Sequence, residues 1–329
     1  MHKRKQDHIQ LALKSKTNKT EQDTRFLYEP MLSGHPEEPL PSVTIAGKQL
    51  KAPLWISSMT GGTDMAREIN QRLAEAAGHY GLGMGLGSCR ILLEDSSRLQ
   101  DFALRPILGP DVPFFANLGI TQLEEILETG RENELKQLLS LLKADGLTIH
   151  VNPLQEWFQP EGDFLKHPPA KTLSHLIKVI DFPVSVKEVG QGMGPESLRE
   201  LLSLKLEAIE LGAFGGTNFA KVEMQRNPDA SDYLYGPLVN VGNTADDMID
   251  WLNNLQSDFQ DYTGKIIASG GIRNYLDAYY FLKKSNYPTI VGMASGFLNP
   301  ARKGQKEINN FVDETIEGLK MSYAFLKIR

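Results

Sequence analysis

Short apolar runs recur along this chain, each followed by a glycine-containing or polar turn and then by apolar positions three or four residues apart. The runs predict buried parallel strands, and the wider spacing predicts amphipathic helices. Most of the runs begin about 25 to 35 residues apart, as a strand–helix repeat requires. Eight strands are predicted, at residues 54–59, 82–87, 113–118, 147–151, 184–189, 208–211, 265–269 and 289–293.

Eight parallel strand–helix units predict an α/β fold closed into a (β/α)8 TIM barrel. The alternative is an open, doubly wound sheet, but no Gly-x-Gly-x-x-Gly follows the first strand, and the count of eight favours the barrel. One predicted helix ends at Gly81, and a second helical pattern is interrupted at Gly130. The apolar face of the first helix carries Met65, Ile69, Leu73, Ala76 and Tyr80.

Residues 1–50 are polar and contain a short helical pattern at Ile9, Leu11 and Leu13, followed by a predicted hairpin over 43–50 that turns at Gly47. We therefore expect two parts, an N-terminal extension over 1–50 with a basic arm and a hairpin, and a barrel over 51–329. Long connections follow the fourth and sixth strands, through 157–163 and about 217–262, and such loops are usually functional.

Composition narrows the class of protein. The chain has 329 residues, a net charge of −6 and a single cysteine, so no internal disulfide can form. The charge argues against nucleic acid or an acidic membrane as a partner, and no run reaches the ~20 apolar residues of a membrane span. The charged N-terminus is not followed by the apolar core of a signal peptide. We expect a soluble, cytoplasmic protein.

The end of the fourth predicted strand concentrates hydrogen-bonding groups. His150, Asn152, Gln155 and Glu156 fall within seven residues, and Pro153 stops the strand among them. In a barrel the site lies at the carboxyl ends of the strands. An imidazole, two amides and one carboxylate suit a phosphorylated substrate that carries a hard cation. The simpler alternative is a polar loop with a satisfied histidine.

The ends of the last two strands predict a phosphate site. Gly270 and Gly271 precede Arg273, and Ala294-Ser295-Gly296 follows the next strand. Small residues let the backbone approach an anion, which N–H groups at helix starts can bind. Either segment alone would be an ordinary tight turn, but together, at these two strands, they favour a phosphate-bearing ligand.

Lys187 and Cys89 are the two most reactive candidates. Lys187 lies in an apolar strand, where it can stabilise a reduced flavin ring, form a Schiff base or pair structurally with Glu188 or Glu210. Cys89 can be a nucleophile activated by Arg90, but a buried filler or passive substrate contact is favoured. Arg4 and Lys5 form either a solvated terminus or an arm that folds over a diphosphate.

Several motifs, in order along nearly the whole chain, resemble those of the type 2 isopentenyl-diphosphate isomerases. The Asn-Pro-Leu-Gln-Glu run and the N-terminal Arg-Lys are specific to that family, whereas Gly-Gly-Ile-Arg occurs in many FMN barrels. The matching segments are 4–9, 59–62, 87–90, 116–119, 150–156, 187–190, 215–217 and 269–273.

The resemblance implies an enzyme of isoprenoid biosynthesis that interconverts isopentenyl and dimethylallyl diphosphate. It implies FMN kept reduced by NADPH, Mg²⁺ on the diphosphate, and no net redox change. Barrels of this kind often assemble, so a homo-oligomer is expected. By motif, FMN would contact Ser58, Met59, Thr60, Ser88, Asn117, Lys187, Thr217, Gly270, Gly271, Arg273, Ala294 and Ser295. The substrate would meet Arg4, Lys5, Ser88, Arg90, His150, Asn152 and Gln155, and Glu156 would bind the metal.

The implied chemistry gives catalytic roles to Gln155, His150 and Lys187. No strong side-chain acid is evident at the strand ends, so the resemblance makes reduced flavin the acid–base group. Lys187 would favour the anionic reduced ring, and Gln155 would orient the reacting end of the substrate. The sequence departs from the family at Cys89, where Gln is usual, and at Phe219, where Trp is expected.

Three other functions are compatible with the fold. A hydroxy-acid oxidase would need a His base and an Arg pair facing a carboxylate, which leaves Gln155 and Glu156 without a role. A thiol enzyme resembling inosine-monophosphate dehydrogenase would use Cys89, but its cysteine belongs on a later loop. The third alternative is a flavin- or phosphate-binding module without turnover.

Overall fold

The computed structural model describes residues 2–57, 63–160 and 162–329. The strands are β1 (Phe26–Tyr28), β2 (Thr44–Ile45), β3 (Lys48–Gln49), β4 (Leu54–Ile56), β5 (Gly83–Gly85), β6 (Phe114–Gly119), β7 (Gly146–Val151), β8 (Val184–Glu188), β9 (Ala208–Glu210), β10 (Lys265–Ser269), β11 (Thr289–Met293) and β12 (Leu326–Ile328). The α-helices are α1 (His2–Ala12), α2 (Asp64–Tyr80), α3 (Ile91–Glu94), α4 (Arg105–Leu108), α5 (Ile120–Glu128), α6 (Asn133–Leu142), α7 (Pro153–Phe158), α8 (Pro169–Val179), α9 (Pro195–Leu202), α10 (Phe219–Arg226), α11 (Asp232–Val239), α12 (Ala245–Leu255), α13 (Tyr275–Lys284), α14 (Ser295–Lys303) and α15 (Gln305–Phe325).

Strands β4 to β11 form a closed parallel barrel in chain order, and β11 pairs with β4 to complete it. The predicted barrel is confirmed, and the open sheet is excluded. β10 and β11 have the predicted bounds, and β5 is shorter than predicted. The predicted end of the first barrel strand, at residues 58–59, lies outside the described residues. Closure matters for function because the carboxyl ends of all eight strands then share one rim.

The predicted helix end at Gly81 and the predicted break at Gly130 both occur in the structure, whereas the capped start of α2 was not predicted. Thr63 caps α2 by accepting a hydrogen bond from the Ala66 N–H, and Gly81 ends the helix in the left-handed conformation at φ 66°. The break at Gly130, which has φ 67°, separates α5 from α6. These local signals set where the rigid helices begin and end around the barrel.

The hairpin β2–β3 closes the amino-terminal end of the barrel. Ile45 and Leu50 are completely buried there, and the hairpin is tied to the barrel by hydrogen bonds from the Ala46 N–H to Glu207 (2.8 Å) and from Lys48 to Asp145 (2.6 Å). The same apolar cluster contains Trp55, Phe115, Ala208, Ile267 and Ile290. Apolar side chains therefore fill this end of the barrel.

The remainder of the extension lies on the outside. β1 pairs antiparallel with β12, so a segment near the N-terminus is joined to the C-terminus. The predicted helical pattern near the N-terminus forms α1, yet Ile9 and Leu11 are exposed on it, as is Leu13 beyond its end. No helix in the part of the chain that the structure describes is long and apolar enough to cross a membrane.

Both long connections are partly helical. The connection after β7 begins with α7 and continues as an irregular segment to α8. The connection after β9 contains α10, α11 and α12. Phe158 of α7 packs with Ala220 of α10 and Val239 of α11, so the two connections form one structure over the barrel rim.

Candidate active site

Three ionisable side chains stand side by side on neighbouring strands at the carboxyl rim. His150 of β7 is paired in register with Lys187 of β8, and Lys187 with Glu210 of β9. Successive side chains on a strand alternate between faces, and Lys187 and Glu210 both line a cavity inside the rim. The barrel thus brings together an imidazole, an ammonium group and a carboxyl group from distant parts of the sequence.

The larger of two adjoining cavities that Lys187 lines has a volume of about 360 Å³. Among the residues assigned to FMN by resemblance, those that line it are Lys187, Thr217, Gly270, Gly271, Arg273, Ala294 and Ser295. Ser58, Met59 and Thr60, which were assigned with them, lie outside the described residues.

The walls of the larger cavity consist largely of main chain that side chains do not cover, as an anion site requires. Gly270 and Gly271 have φ angles of +89° and +75°, and a Cβ on Gly270 would lie 2.1 Å from the Ala213 carbonyl oxygen. The helix α14 begins beside them with Ala294 as its N-cap residue. In the described ranges, no side chain at this cap accepts a hydrogen bond from the first N–H groups of the helix. These free N–H groups and the glycine-lined wall fit a phosphate group.

Arg273 is held at the mouth of this cavity by Asp277. The main-chain N–H of Arg273 donates to Asp277 at 3.0 Å and its Nε at 3.1 Å, while Arg25 of the extension donates to the same carboxylate at 2.8 Å. Burial alone would raise the pKa of Asp277, but the hydrogen bonds from the two arginines hold it below the usual value. The local sequence pattern did not mark Asp277 or Arg25 as site residues.

A smaller cavity of about 140 Å³ adjoins the larger one and shares Lys187, Val189 and Phe219 with it. The three predicted catalytic residues all line it. The other residues that line it are Gly87, Ser88 and Asn117, two of which were assigned to FMN. Lys187 therefore lies between a glycine-lined cavity and a smaller cavity with His150 and Gln155 in its wall.

The protonation of His150 follows from its partner. Its Nδ1 lies 2.9 Å from Oδ1 of Asn117, while Nδ2 of Asn117 donates to the Leu86 carbonyl at 3.0 Å. A carbonyl-type oxygen can only accept, so Nδ1 carries the proton and Nε2 presents a lone pair. Burial, and then the charge of Lys187, lowers the pKa of His150 to about 4. The imidazole is therefore neutral near pH 7.

Lys187 is buried, and its Nζ donates to the Glu188 carbonyl oxygen at 3.1 Å. Among the described residues no carboxylate lies within 4.0 Å of this Nζ, but the charge of Lys187 acts to lower the pKa of Glu210, so the two groups interact at a longer distance. Glu210 accepts a hydrogen bond from Ser57 at 2.6 Å, and burial raises its pKa. The position of Glu210 inside the cavity was not predicted, although a charged residue in an apolar strand can indicate a place in the site.

The polar cluster at the end of β7 is divided by the structure. Gln155 and His150 face the smaller cavity, whereas Asn152 lines neither of the two. The Nδ2 of Asn152 donates to Glu188 at 2.8 Å, and its Oδ1 caps α7 by accepting from the Gln155 N–H at 2.8 Å. Both ends of the Asn152 amide are thus engaged within the protein, a role that differs from the predicted substrate contact.

Glu156 and Arg90 lie outside the two cavities, on the side of the long connection after β7. Arg90 donates to Asp163 at 2.8 Å, and the same carboxylate accepts from Gln122 at 2.9 Å. Burial raises the pKa of Glu156, and a main-chain hydrogen bond from Asp163 and the charge of Arg90 only partly oppose this. Asp163, Gln122 and Glu223 were not predicted, although Asp163 lies in a connection that the sequence marked as functional.

The metal-binding prediction has one carboxylate candidate. Across 2–57, 63–160 and 162–329, no group of three or more His, Cys, Asp or Glu side chains is arranged to hold a metal ion. Mg²⁺ bound to a phosphorylated substrate needs only one or two protein carboxylates, because phosphate and water oxygens complete its shell. The partly buried Glu156 fits that mode of binding, and an all-protein site is not formed.

The basic arm and Cys89 lie outside the two cavities. Arg4 and Lys5 are exposed on α1. Cys89 is fully buried, its Sγ lies 3.4 Å from the Gly87 carbonyl, and burial raises the pKa of its thiol to about 12. A thiol in that state is a poor nucleophile, which agrees with the favoured interpretation of a buried filler.

Comparisons with known proteins extend the picture. No family model matches the chain. The isopentenyl-diphosphate delta-isomerase of Rickettsia typhi is 32% identical over 324 residues, 97% of this chain and 92% of the relative. The enzyme of that name from Rickettsia prowazekii is 33% identical, with the same coverage.

Solved structures with a similar fold are flavin barrels. A flavocytochrome b2 mutant with pyruvate bound superposes with a TM-score of 0.63 at 13% identity, covering 91% of this chain and 71% of that one. A mandelate oxidase mutant with a monooxide FMN adduct gives 0.58 at 13% identity, covering 93% and 88%. These neighbours confirm the barrel, and the sequence relatives confirm the resemblance that the motifs indicated: the chain belongs to the isopentenyl-diphosphate delta-isomerase family.

Proposed function

We propose that this enzyme interconverts isopentenyl and dimethylallyl diphosphate, with reduced FMN and Mg²⁺ bound. The observation that supports this most directly is the pair of adjoining cavities that share Lys187. One is lined with the bare backbone that a cofactor phosphate needs, and the other is a chamber of about 140 Å³ with His150 and Gln155 in its wall. A small prenyl group needs no larger space for a proton to be added at one carbon and removed at another.

The residues of the larger cavity fit FMN. The phosphate would be bound by Gly270, Gly271 and the start of α14. Arg273 would neutralise the phosphate, either by leaving Asp277 or by contacting both groups. Lys187 would lie by the ring, where its charge favours the anionic reduced form. Bound reduced FMN would supply the acid–base group of the reaction.

The side chains of the smaller cavity do not offer a carboxylic acid. In the described part of the chain, its titratable residues are His150 and Lys187, and His150 is neutral near pH 7 with a free Nε2. A neutral imidazole and the Gln155 amide can orient a substrate by hydrogen bonds, but neither is a strong acid. This supports a mechanism in which the chain positions the alkene and excludes water while the cofactor handles the proton.

The diphosphate would be bound at the long connection after β7. Glu156 would hold Mg²⁺ through one carboxylate, and Arg90 would exchange Asp163 for a phosphate oxygen. Ser88 lines the smaller cavity two residues before Arg90, and the arm with Arg4 and Lys5 would close over the diphosphate from outside. The negative charge of the substrate is thereby neutralised and the carbocation-like state is shielded from water. A homo-oligomer and NADPH as the reductant belong to the same proposal.

The test is an anaerobic assay that converts isopentenyl diphosphate into dimethylallyl diphosphate with Mg²⁺, FMN and NADPH, each omitted in turn. We expect conversion that requires metal and reduced FMN, with NADPH replaceable by photoreduction. Conversion that persists without FMN would contradict the cofactor assignment. FMN binding without conversion would favour a flavin oxidoreductase, such as a hydroxy-acid oxidase, and lactate and mandelate should then be assayed.

A further inference from the structure

Glu188 is a buried carboxylate to which the proposed mechanism gives no role. It follows Lys187 in β8 and therefore points to the opposite face, away from the barrel interior. Its Oε1 accepts from the Asn152 side chain at 2.8 Å. Its Oε2 accepts three main-chain N–H groups, from Gly190 at 2.7 Å, Gln191 at 2.8 Å and Gly192 at 2.7 Å. One carboxylate thus joins the end of β8 to the start of α7.

The loop that this carboxylate binds is tightly constrained. Gly190 and Gly192 have φ angles of +131° and +69°, and a Cβ on Gly190 would lie 2.2 Å from the carbonyl oxygen of Thr217. Three N–H groups that converge on one oxygen form a small anion nest, and Glu188 supplies the anion from within the chain. The loop therefore stacks against the segment that contains Thr217.

Asn152 transmits this arrangement to α7. Its Nδ2 is held by Glu188, and its Oδ1 is the N-cap of α7 through the Gln155 N–H. α7 has only six residues, and a helix this short has little stability of its own. Gln155 and Glu156 lie in its first turns. The position of both side chains therefore depends on the orientation of one buried amide.

We propose that Glu188 is a positioning residue that, through Asn152, fixes the first turn of α7 and with it Gln155 and Glu156. The inference rests on the proposed function for its kinetic consequence and on the structure alone for its effect on α7. Every partner of the carboxylate is a hydrogen-bond donor, so glutamine cannot replace it without turning an NH₂ group toward a donor. Removal of a residue that holds a ligand-binding group in place commonly lowers binding or activity tenfold or more.

The test compares Glu188→Gln with Glu200→Gln, a matched change at an exposed glutamate of α9. Hydrogen exchange of residues 153–158 should accelerate at least about tenfold in Glu188→Gln alone. The KM for isopentenyl diphosphate and the Mg²⁺ concentration for half-maximal rate should rise roughly tenfold, while FMN affinity stays within about twofold. If Glu188 only stabilised the fold, its substitution would lower Tm but would not weaken the use of substrate and Mg²⁺ while FMN affinity is kept.

A double variant checks the hydrogen-bond pattern itself. In Glu188→Gln with Asn152→Asp, the new amide donates to the new carboxylate, which also caps α7, and the glutamine oxygen still accepts from the loop. Hydrogen exchange of residues 153–158 should return to the wild-type rate in the double variant. If Glu188→Gln alone does not fold, the double variant still tests whether Glu188 positions α7. Unchanged exchange in Glu188→Gln, or no recovery in the double variant, would overturn the proposal. A wild type without isomerase activity would instead contradict the proposed function.

Discussion

His150 donates its Nδ1 proton to Asn117, which is held in turn by the Leu86 carbonyl. This chain of two hydrogen bonds joins the segment after β5 to β6 and β7 at the rim and leaves Nε2 of His150 as an acceptor. The arrangement suits a neutral imidazole and disfavours an imidazolium, because the ring is removed from water and Lys187 lies on the neighbouring strand. The first prediction tests that protonation state.

Stability should fall in acid because His150 stays neutral in the native state. Its pKa is about 4 in the folded protein, against the ordinary value of 6.5 for a solvated histidine, so below pH 6.5 the unfolded state binds a proton that the native state does not. The loss should develop between about pH 6.5 and 4, level off below that, and reach at most about 3 kcal/mol. Urea unfolding from about pH 4.5 to 7.5 measures it. His150→Gln should flatten this dependence, whereas His175→Gln, at an exposed position of α8, should not.

Lys187→Ala should weaken FMN binding by roughly ten- to a hundredfold, since a charge-assisted contact in a buried site contributes about 1.5–3 kcal/mol. The bound reduced flavin should also lose its anionic spectrum near neutral pH. Titration of the flavin fluorescence and spectra after photoreduction measure both effects. The control is Lys178→Ala, at an exposed lysine of α8. Unaltered affinity together with an unaltered reduced spectrum would remove Lys187 from the flavin site.

Glu156→Gln should abolish the Mg²⁺-dependent activity and leave FMN binding intact. The amide keeps the shape of the side chain but loses the charge that a hard cation requires. Activity as a function of Mg²⁺ concentration, with FMN affinity in parallel, measures the effect. Glu75→Gln changes an exposed glutamate of α2 and should leave the Mg²⁺ curve as in wild type. A normal Mg²⁺ curve in Glu156→Gln would argue against the metal role.

Cys89→Ser should retain most of the activity, within a few-fold, because the buried thiol is protonated throughout the neutral range. For the same reason, native protein should resist iodoacetamide at about pH 8, and protein unfolded in urea should react. Mass spectrometry of the alkylated peptide and the isomerase assay are the measurements. A folded, FMN-loaded Cys89→Ser protein without activity would revive the thiol mechanism.

Removal of residues 1–6 should raise the KM for the diphosphate at least about tenfold and leave FMN affinity unchanged. α1 is exposed along its described side chains, so its loss should cost little stability. The paired change of Arg4 and Lys5 to Gln should reproduce most of the effect if charge is responsible. An unchanged KM in both proteins would show that the arm does not act at the site.

The barrel was predictable because its signals are local. A short apolar run bounded by turn residues and followed by a helical pattern indicates a buried strand, and the last two strands of the barrel were predicted to the residue. Gly81 and Gly130 marked helix ends because left-handed backbone favours glycine. The N-terminal hairpin was predicted, but its place as the plug of the barrel was not, since nothing in the local pattern says which cavity Ile45 will fill.

Part of the site followed from the same rule. Parallel strands that close into a barrel present their carboxyl ends together, and this is why Lys187, His150 and Gln155 could be expected in one place before their contacts were known. The strand ends supplied candidates, and the motifs supplied the family. Each of these inferences needs only the order of elements along the chain.

Partnerships between side chains needed the folded structure. Arg25 reaches Asp277 across 252 residues, and Glu188 reaches Asn152 across 36. At the start of α7, Gln155 turns toward the smaller cavity and Asn152 turns away from it, a division that the spacing of the two residues does not encode. The periodicity of the sequence determines which segments form strands and which form helices. The direction of a buried polar side chain depends instead on the donors and acceptors that lie within about 3 Å of it once the barrel has closed.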